Sequence, residues 1–146
     1  MEVKNVFLVE DDEMFALAFK RKLENLGNYK VHHFPSSERA LGLLTAIKPE
    51  IIFLDHELGG VNGVDAMPVF KEFSPKSEIV VVSGQTEVDV IQKALDNGAA
   101  KYFRKDALLI DNTEGFMREY LDKPSEYGSC WTAFFLNYKL KLETKN

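Results

Sequence analysis

Five short apolar runs alternate along this chain with five stretches whose apolar residues recur at helical spacing, and such alternation predicts an α/β protein. The extended runs are 6–9 (β1), 29–34 (β2), 51–54 (β3), 79–82 (β4) and a short run around Tyr102 and Phe103 (β5). Between them, Ala16, Phe19, Leu23 and Leu26 mark a first helix (α1), followed by Gly27, which can take the left-handed conformation that ends helices. Ser36 and Ser37 offer caps for a second (α2), which carries Ala40, Leu43, Leu44 and Ile47 and stops at or before Pro49. Asn62 and Gly63 open a third (α3) with Val69, Phe70 and Phe73, although Pro68 in its early turns predicts a kink or a late start. Thr86 and Asp89 form a capping-box-like start to a fourth (α4) bearing Val88, Ile91, Ala94 and Leu95, and Gly98 ends it. A fifth (α5) is expected at about 112–121. The Phe and Leu residues of these stripes are expected in the core.

The expected architecture is a doubly wound, five-stranded parallel sheet with five helices on its two faces and right-handed crossovers. In open sheets of this kind the C-terminal strand ends share one edge, and ligands bind there. Four runs end in a polar side chain: Glu10 and Asp11 after β1, Asp55 after β3, Ser83 after β4 and Lys105 after β5. Three carboxylates, a hydroxyl and an ammonium would converge, which is what a cation and a phosphoryl group require. A ligand edge at the ends of β1 and β3 fits the flavodoxin-like strand order 2-1-3-4-5, whose switch point lies between those strands.

At 146 residues one folded domain is expected. The net charge of −5 argues against direct nucleic-acid binding, which relies on clustered Lys and Arg. A single cysteine, Cys130, excludes an intrachain disulfide. The start of the chain lacks the pattern of a signal peptide, and no apolar stretch approaches membrane-spanning length, so a cytoplasmic protein without membrane association is expected.

Four segments in order resemble the receiver domain of two-component response regulators, over about residues 3–122. Residues 6–13, VFLVEDDE, are similar to the family's first strand and acidic pair; residues 51–63, IIFLDHELGGVNG, match its phosphoacceptor segment, including Gly63 eight residues after Asp55. Residues 80–84, VVVSG, match its hydroxyl followed by a small residue, and residues 98–106, GAAKYFRKD, its aromatic and lysine. The resemblance implies a receiver domain at 1–123 and leaves 124–146 as a C-terminal extension. It also implies phosphorelay signalling rather than an enzyme's turnover, with a sensor histidine kinase or histidine phosphotransfer protein as donor and a downstream protein as target.

The chemistry of the site follows from its residue types. Crowded carboxylates raise one another's pKa unless a cation offsets them, and a hard, oxygen-seeking Mg²⁺ suits Asp11, Asp55 and the backbone carbonyl of Glu57. The family pattern implies the same set, with Glu10 contributing through water. Asp55 is then the nucleophile that forms an acyl phosphate, Lys105 offsets charge on the phosphoryl oxygens, and Ser83 donates its hydroxyl to one of them. As the resemblance implies, Ser83 moves toward the phosphoryl group and Tyr102 turns into the vacated space, switching a surface of α4, β5 and α5. Gly59 and Asp106 stand where the family usually has proline, which removes the favourable context for a cis peptide after Lys105.

Asp12 and Glu13 are expected only to favour the N-terminus of α1. His56 should point away from Asp55, because strand neighbours face opposite sides, and His32 and His33 lack metal-ligand spacing. The alternative of a haloacid dehalogenase-like phosphatase would need a second Asp where Glu57 stands, and Thr or Val where Gly59 stands. A flavodoxin-like nucleotide binder would need a phosphate loop after β1. The chain also fits the receiver fragment of a longer regulator. Its extension reads either as a strand, from the strict alternation over 136–143, or as a helix with Trp131, Phe134, Phe135, Tyr138 and Leu142 on one face, the helix being preferred. It is expected to cap its own domain or, with the surface of α4, β5 and α5, to form a homodimer or docking surface.

Overall fold

In the computed structural model, which describes residues 2–84 and 87–120, every apolar run is a strand and every helical stripe a helix. The order is β1 (Lys4–Val9), α1 (Glu13–Asn25), β2 (Tyr29–Phe34), α2 (Ser37–Ile47), β3 (Ile51–Leu54), α3 (Gly63–Phe73), β4 (Glu78–Ser83), α4 (Val88–Asp96), β5 (Lys101–Arg104) and α5 (Leu109–Tyr120). All neighbouring strands are parallel, in the expected order β2-β1-β3-β4-β5. Val9 pairs with Phe34 on one side and Leu54 on the other, and Leu54 pairs with Val81, so the strands finish along one edge.

The chain divides into two compact units after Asn112. The first contains the sheet, α1 to α4 and the opening of α5; of the second, the rest of α5 as far as Tyr120 is described, with Phe116 stacked on Tyr120 and Arg118 paired to Glu114. The extension at 124–146, with its helix and strand alternatives, lies outside the described residues. Among the described residues no helix is long and apolar enough to cross a membrane.

Parallel strands are covered on both faces, and β3 is accordingly buried along its whole length. Phe7, Val9, Ile52, Leu54, Ile79 and Val81 share one apolar cluster with Ala40 and Leu44 of α2, Val64, Met67 and Phe70 of α3 and Ala94 of α4. On α1 the buried residues are Ala16, Phe19 and Leu23, and the Phe19 ring meets Phe53 of β3 edge-on. The stripes are narrower than the sequence implies: Leu43, Val69, Phe73, Val88 and Leu95 are exposed, because each helix turns a single row toward the sheet.

Four local expectations are corrected. Gly98 is the sole described glycine with positive φ, so Gly27 does not end α1 by a left-handed turn; a Cβ there would lie 2.8 Å from the Tyr29 ring, which would have to shift. The N-cap of α4 is Glu87, without a side-chain cap bond, and the expected Thr86 lies outside the described residues. Helix α5 starts at Leu109, ahead of the expected 112, because Asp106 accepts from the Leu108 N–H through Oδ1 and from the Leu109 N–H through its carbonyl. Helix α3 does not start late, and its helical bounds run on past Pro68. Proline cannot donate to the carbonyl of Val64, and Asn97, at the end of α4, donates its Nδ2 to that oxygen at 3.0 Å instead.

That substitution of donors has a measurable consequence. Asn97→Ala should lower stability by about 1–2 kcal/mol, the cost of an orphaned, partly buried carbonyl. Urea unfolding would read it as a lowered midpoint with unchanged slope. An unchanged midpoint would show that water satisfies Val64 without Asn97.

Candidate functional site

Three of the polar residues at strand ends are held by one more backbone bond beyond the ladder. The Glu10 N–H donates to Phe34 (2.9 Å), Asp55 to Val9 (3.0 Å) and Lys105 to Ser83 (3.0 Å). The sheet register therefore sets where these side chains emerge. Glu10, Asp11, Asp55, Glu57 and Lys105 line one open cleft of about 620 Å³, together with Asp12, His56, Leu58, Gly59 and Asn62.

Glu10 and Asp55 are buried while Asp11 is exposed. The Glu10 Oε1 accepts from the Asp12 N–H (3.1 Å), and the Asp55 Oδ1 accepts from the Glu57 N–H (3.1 Å). Lys105 bridges the two buried acids, its Nζ 2.7 Å from Glu10 Oε2 and 3.2 Å from Asp55 Oδ2. Burial pushes the Glu10 carboxyl up to about 7 against the pull of Lys105. Burial also disfavours the Lys105 ammonium, but the hydrogen bond to Glu10 and the charge of Asp55 outweigh it and hold Lys105 above the ordinary lysine value.

Glu10, Asp11 and Asp55 each offer a carboxylate oxygen, all within 4.8 Å of one another. An all-oxygen, multiply anionic donor set of this size fits a hard divalent cation.

Ser83 is fully buried and does not line the cleft. Its hydroxyl is hydrogen-bonded with Tyr102, which is partly buried against the core; burial raises the Tyr102 hydroxyl and the Ser83 bond offsets part of that rise. The two residues expected to act as a pair are thus in contact. The Lys105–Asp106 peptide is trans, as are all described peptides.

Asp12 is the N-cap of α1, accepting from the Phe15 N–H, as expected of a structural residue. His56 lies beyond the end of β3 and is among the residues that line the cleft, with its Nδ1 buried. His33 also does more than pack, since its Nε2 lies 2.7 Å from the Glu10 carbonyl and must donate to it, tying the acidic turn to β2. His32 bonds Asn5 within the sheet. Neither histidine contact has a spacing signal, because the partners lie in or just beyond another strand, β1.

Comparison with known proteins points one way. The family model for the response regulator receiver domain matches residues 6–114. The transcriptional regulatory protein MalR of Bacillus subtilis is 32% identical over 102 residues, which are 69% of this chain and 43% of that protein. Sporulation initiation phosphotransferase F of the same organism is 23% identical over 114 residues, 78% of this chain and 91% of that protein. A response regulator from Burkholderia pseudomallei, solved with a phosphorylated aspartic acid, calcium and citrate, superposes with a TM-score of 0.67 at 29% identity, covering 83% of this chain and 75% of its own.

Proposed function

Because this chain belongs to the response regulator receiver domain family, we propose that Asp55 is its phosphoacceptor and that Glu10, Asp11, Asp55, Glu57, Ser83, Tyr102 and Lys105 serve the transfer and the switch. The observation that carries this reading is the Lys105 ammonium placed between Glu10 and Asp55 at the mouth of a cleft walled by carboxylates. The receiver domain takes residues 1–123, supported by the match over 6–114, and 124–146 is an extension to it.

An Asp55 carboxylate oxygen attacks the phosphorus of a phosphohistidine on a sensor histidine kinase or histidine phosphotransfer protein. The new P–O bond gives an acyl phosphate, the P–N bond breaks, and its electron pair stays on the departing nitrogen of an imidazole that leaves neutral because its other ring nitrogen already carries a proton. The Glu57 N–H holds one Asp55 oxygen, which leaves the other to react. Lys105, kept protonated by its surroundings, faces the incoming oxygens and offsets their charge. Mg²⁺ would be held by Glu10, Asp11, Asp55 and the Glu57 carbonyl; it supplies positive charge to the phosphoryl oxygens. Ser83 then exchanges its bond with Tyr102 for a phosphoryl oxygen, a stronger, charged acceptor. Tyr102, released, repacks beside α4 and presents a changed surface to a downstream protein.

The domain is read as a signalling module that handles only its own phosphoryl group, placed in the cytoplasm and without a nucleic-acid contact of its own. The wild-type chain should take up label from acetyl phosphate only when Mg²⁺ is supplied, and neutral hydroxylamine, which cleaves acyl phosphates, should release it. Label that survives hydroxylamine, or that appears equally under chelation, would overturn the reading.

A further inference from the structure

Lys105 makes a third contact that the transfer reading does not use. Its Nζ lies 4.4 Å from the centroid of the Phe15 ring. An aromatic face attracts a cation through its quadrupole, more strongly where water is excluded, and the Lys105 side chain is only 22% exposed. A lysine head is a point charge on a flexible stem, so its partners decide where it sits. Two of those partners, Glu10 and Asp55, change state in the proposed transfer: Asp55 loses its charge to the acyl bond, and both are shared with the cation. The ring does not change.

Phe15 is itself fixed from two directions. Its N–H donates to the Asp12 cap at 3.1 Å. Its ring stacks on Phe19 (5.5 Å, 18°), and Phe19 meets Phe53 edge-on (5.4 Å, 89°). Phe53 is fully buried in β3, two residues before Asp55. An aromatic row therefore runs from the strand that carries the acceptor to the ammonium that serves it.

We propose that Phe15 is a positioning residue for phosphoryl transfer, its ring face seating the Lys105 ammonium over the cleft while Glu10 and Asp55 change partners. The inference rests on Asp55 being the phosphoacceptor. It assigns Phe15 no contact with the phosphoryl group.

The test uses the full chain, labelled from acetyl phosphate at saturating Mg²⁺, as wild type, Phe15→Leu, Phe15→Tyr, Lys105→Met and Phe15→Leu combined with Lys105→Met. Phe15→Leu keeps an apolar side chain and removes the π face, and labelling should slow about fivefold. Phe15→Tyr should label at close to the wild-type rate, and in the Lys105→Met background Phe15→Leu should have no further effect. The Hε protons of Lys105 should be shifted upfield by the ring in wild type and Phe15→Tyr, and lose that shift in Phe15→Leu. Should Phe15→Leu fail to fold, Phe15→Met takes its place with the same expectations. Unchanged labelling in Phe15→Leu, slowing that Phe15→Tyr does not restore, equal slowing without Lys105, or an unshifted Hε signal in wild type would each overturn the inference. Those results with normal wild-type labelling overturn it alone, whereas a wild-type chain that takes up no label overturns the phosphoacceptor reading and this inference with it.

Discussion

Asp55→Asn should reduce label uptake from acetyl phosphate by about 10²-fold or more, to background, while leaving the fold intact. The amide lacks the anionic oxygen that attacks phosphorus, yet it reproduces the local hydrogen bonds. Its carbonyl can accept from the Glu57 N–H or from Lys105, the two donors that Asp55 now has. Its NH₂ can face Glu10. The substitution also removes one negative charge from a crowded group, so the change in unfolding free energy should stay within about 1 kcal/mol. Lost labelling with a wild-type urea midpoint therefore isolates the chemistry from the fold. Hydroxylamine-labile label at the wild-type rate in Asp55→Asn would move the acceptor to another carboxylate of the same cleft, Asp12 or Glu57.

What could be read from the chain divides by the range of the contact involved. Glu10, Asp11, Asp55 and Lys105 were legible because each closes an apolar run, and a parallel sheet brings such closures to one edge. The pairing of Ser83 with Tyr102 came from the family resemblance rather than from the strand-end pattern, and the structure has the two on neighbouring strands, β4 and β5. Gly27 lacks the positive φ of a helix-ending glycine, and its close neighbour is the ring of Tyr29, a contact that local helix-ending rules do not contain. The Val64 carbonyl that Pro68 leaves without a helical donor is served by Asn97, 33 residues further along the chain. Phe15 and His33 reach Lys105 and Glu10 across the fold, and no spacing within either segment announces them. His56 lies beyond the end of β3, and alternation predicts facing only as far as the strand extends.

The division also separates what anchors the site from what tunes it. Residues that carry charge to the cleft lie in the strand-end pattern, where backbone bonds fix them. Residues that hold those charges in orientation, Phe15 through its ring and His33 through the Glu10 carbonyl, come from α1 and β2, the two elements that follow β1 in the chain. Changes in the second set should alter rates and lifetimes while changes in the first abolish the reaction.

The largest structural effect is expected at Gly63. A Cβ built there would lie 1.9 Å from the carbonyl oxygen of Asp55 and 2.8 Å from its carbonyl carbon, with Leu54 Cγ at 3.0 Å. The obstructing atoms are backbone, at the end of a fully buried strand, and cannot swing aside as a side chain would. The Gly63 N–H donates to His56 at 3.0 Å, so the loop that follows Asp55 is closed onto the first residue of α3 and has no slack to absorb the methyl group. Relief requires the Asp55 carbonyl or the start of α3 to move by about 1 Å, which carries the carboxylate with it. Gly63→Ala should therefore cost about 2–4 kcal/mol in urea unfolding and, at temperatures where it remains folded, slow labelling by about 10²-fold, the usual penalty for a misplacement of that size. Gly59→Ala in the same loop supplies the contrast: nothing lies within 4 Å of its Cβ and its φ is not positive, so it should label at the wild-type rate and gain up to about 0.5 kcal/mol from a stiffer unfolded chain. Equal midpoints and equal labelling for Gly63→Ala and Gly59→Ala would show that the Asp55 carbonyl does not stand against Gly63.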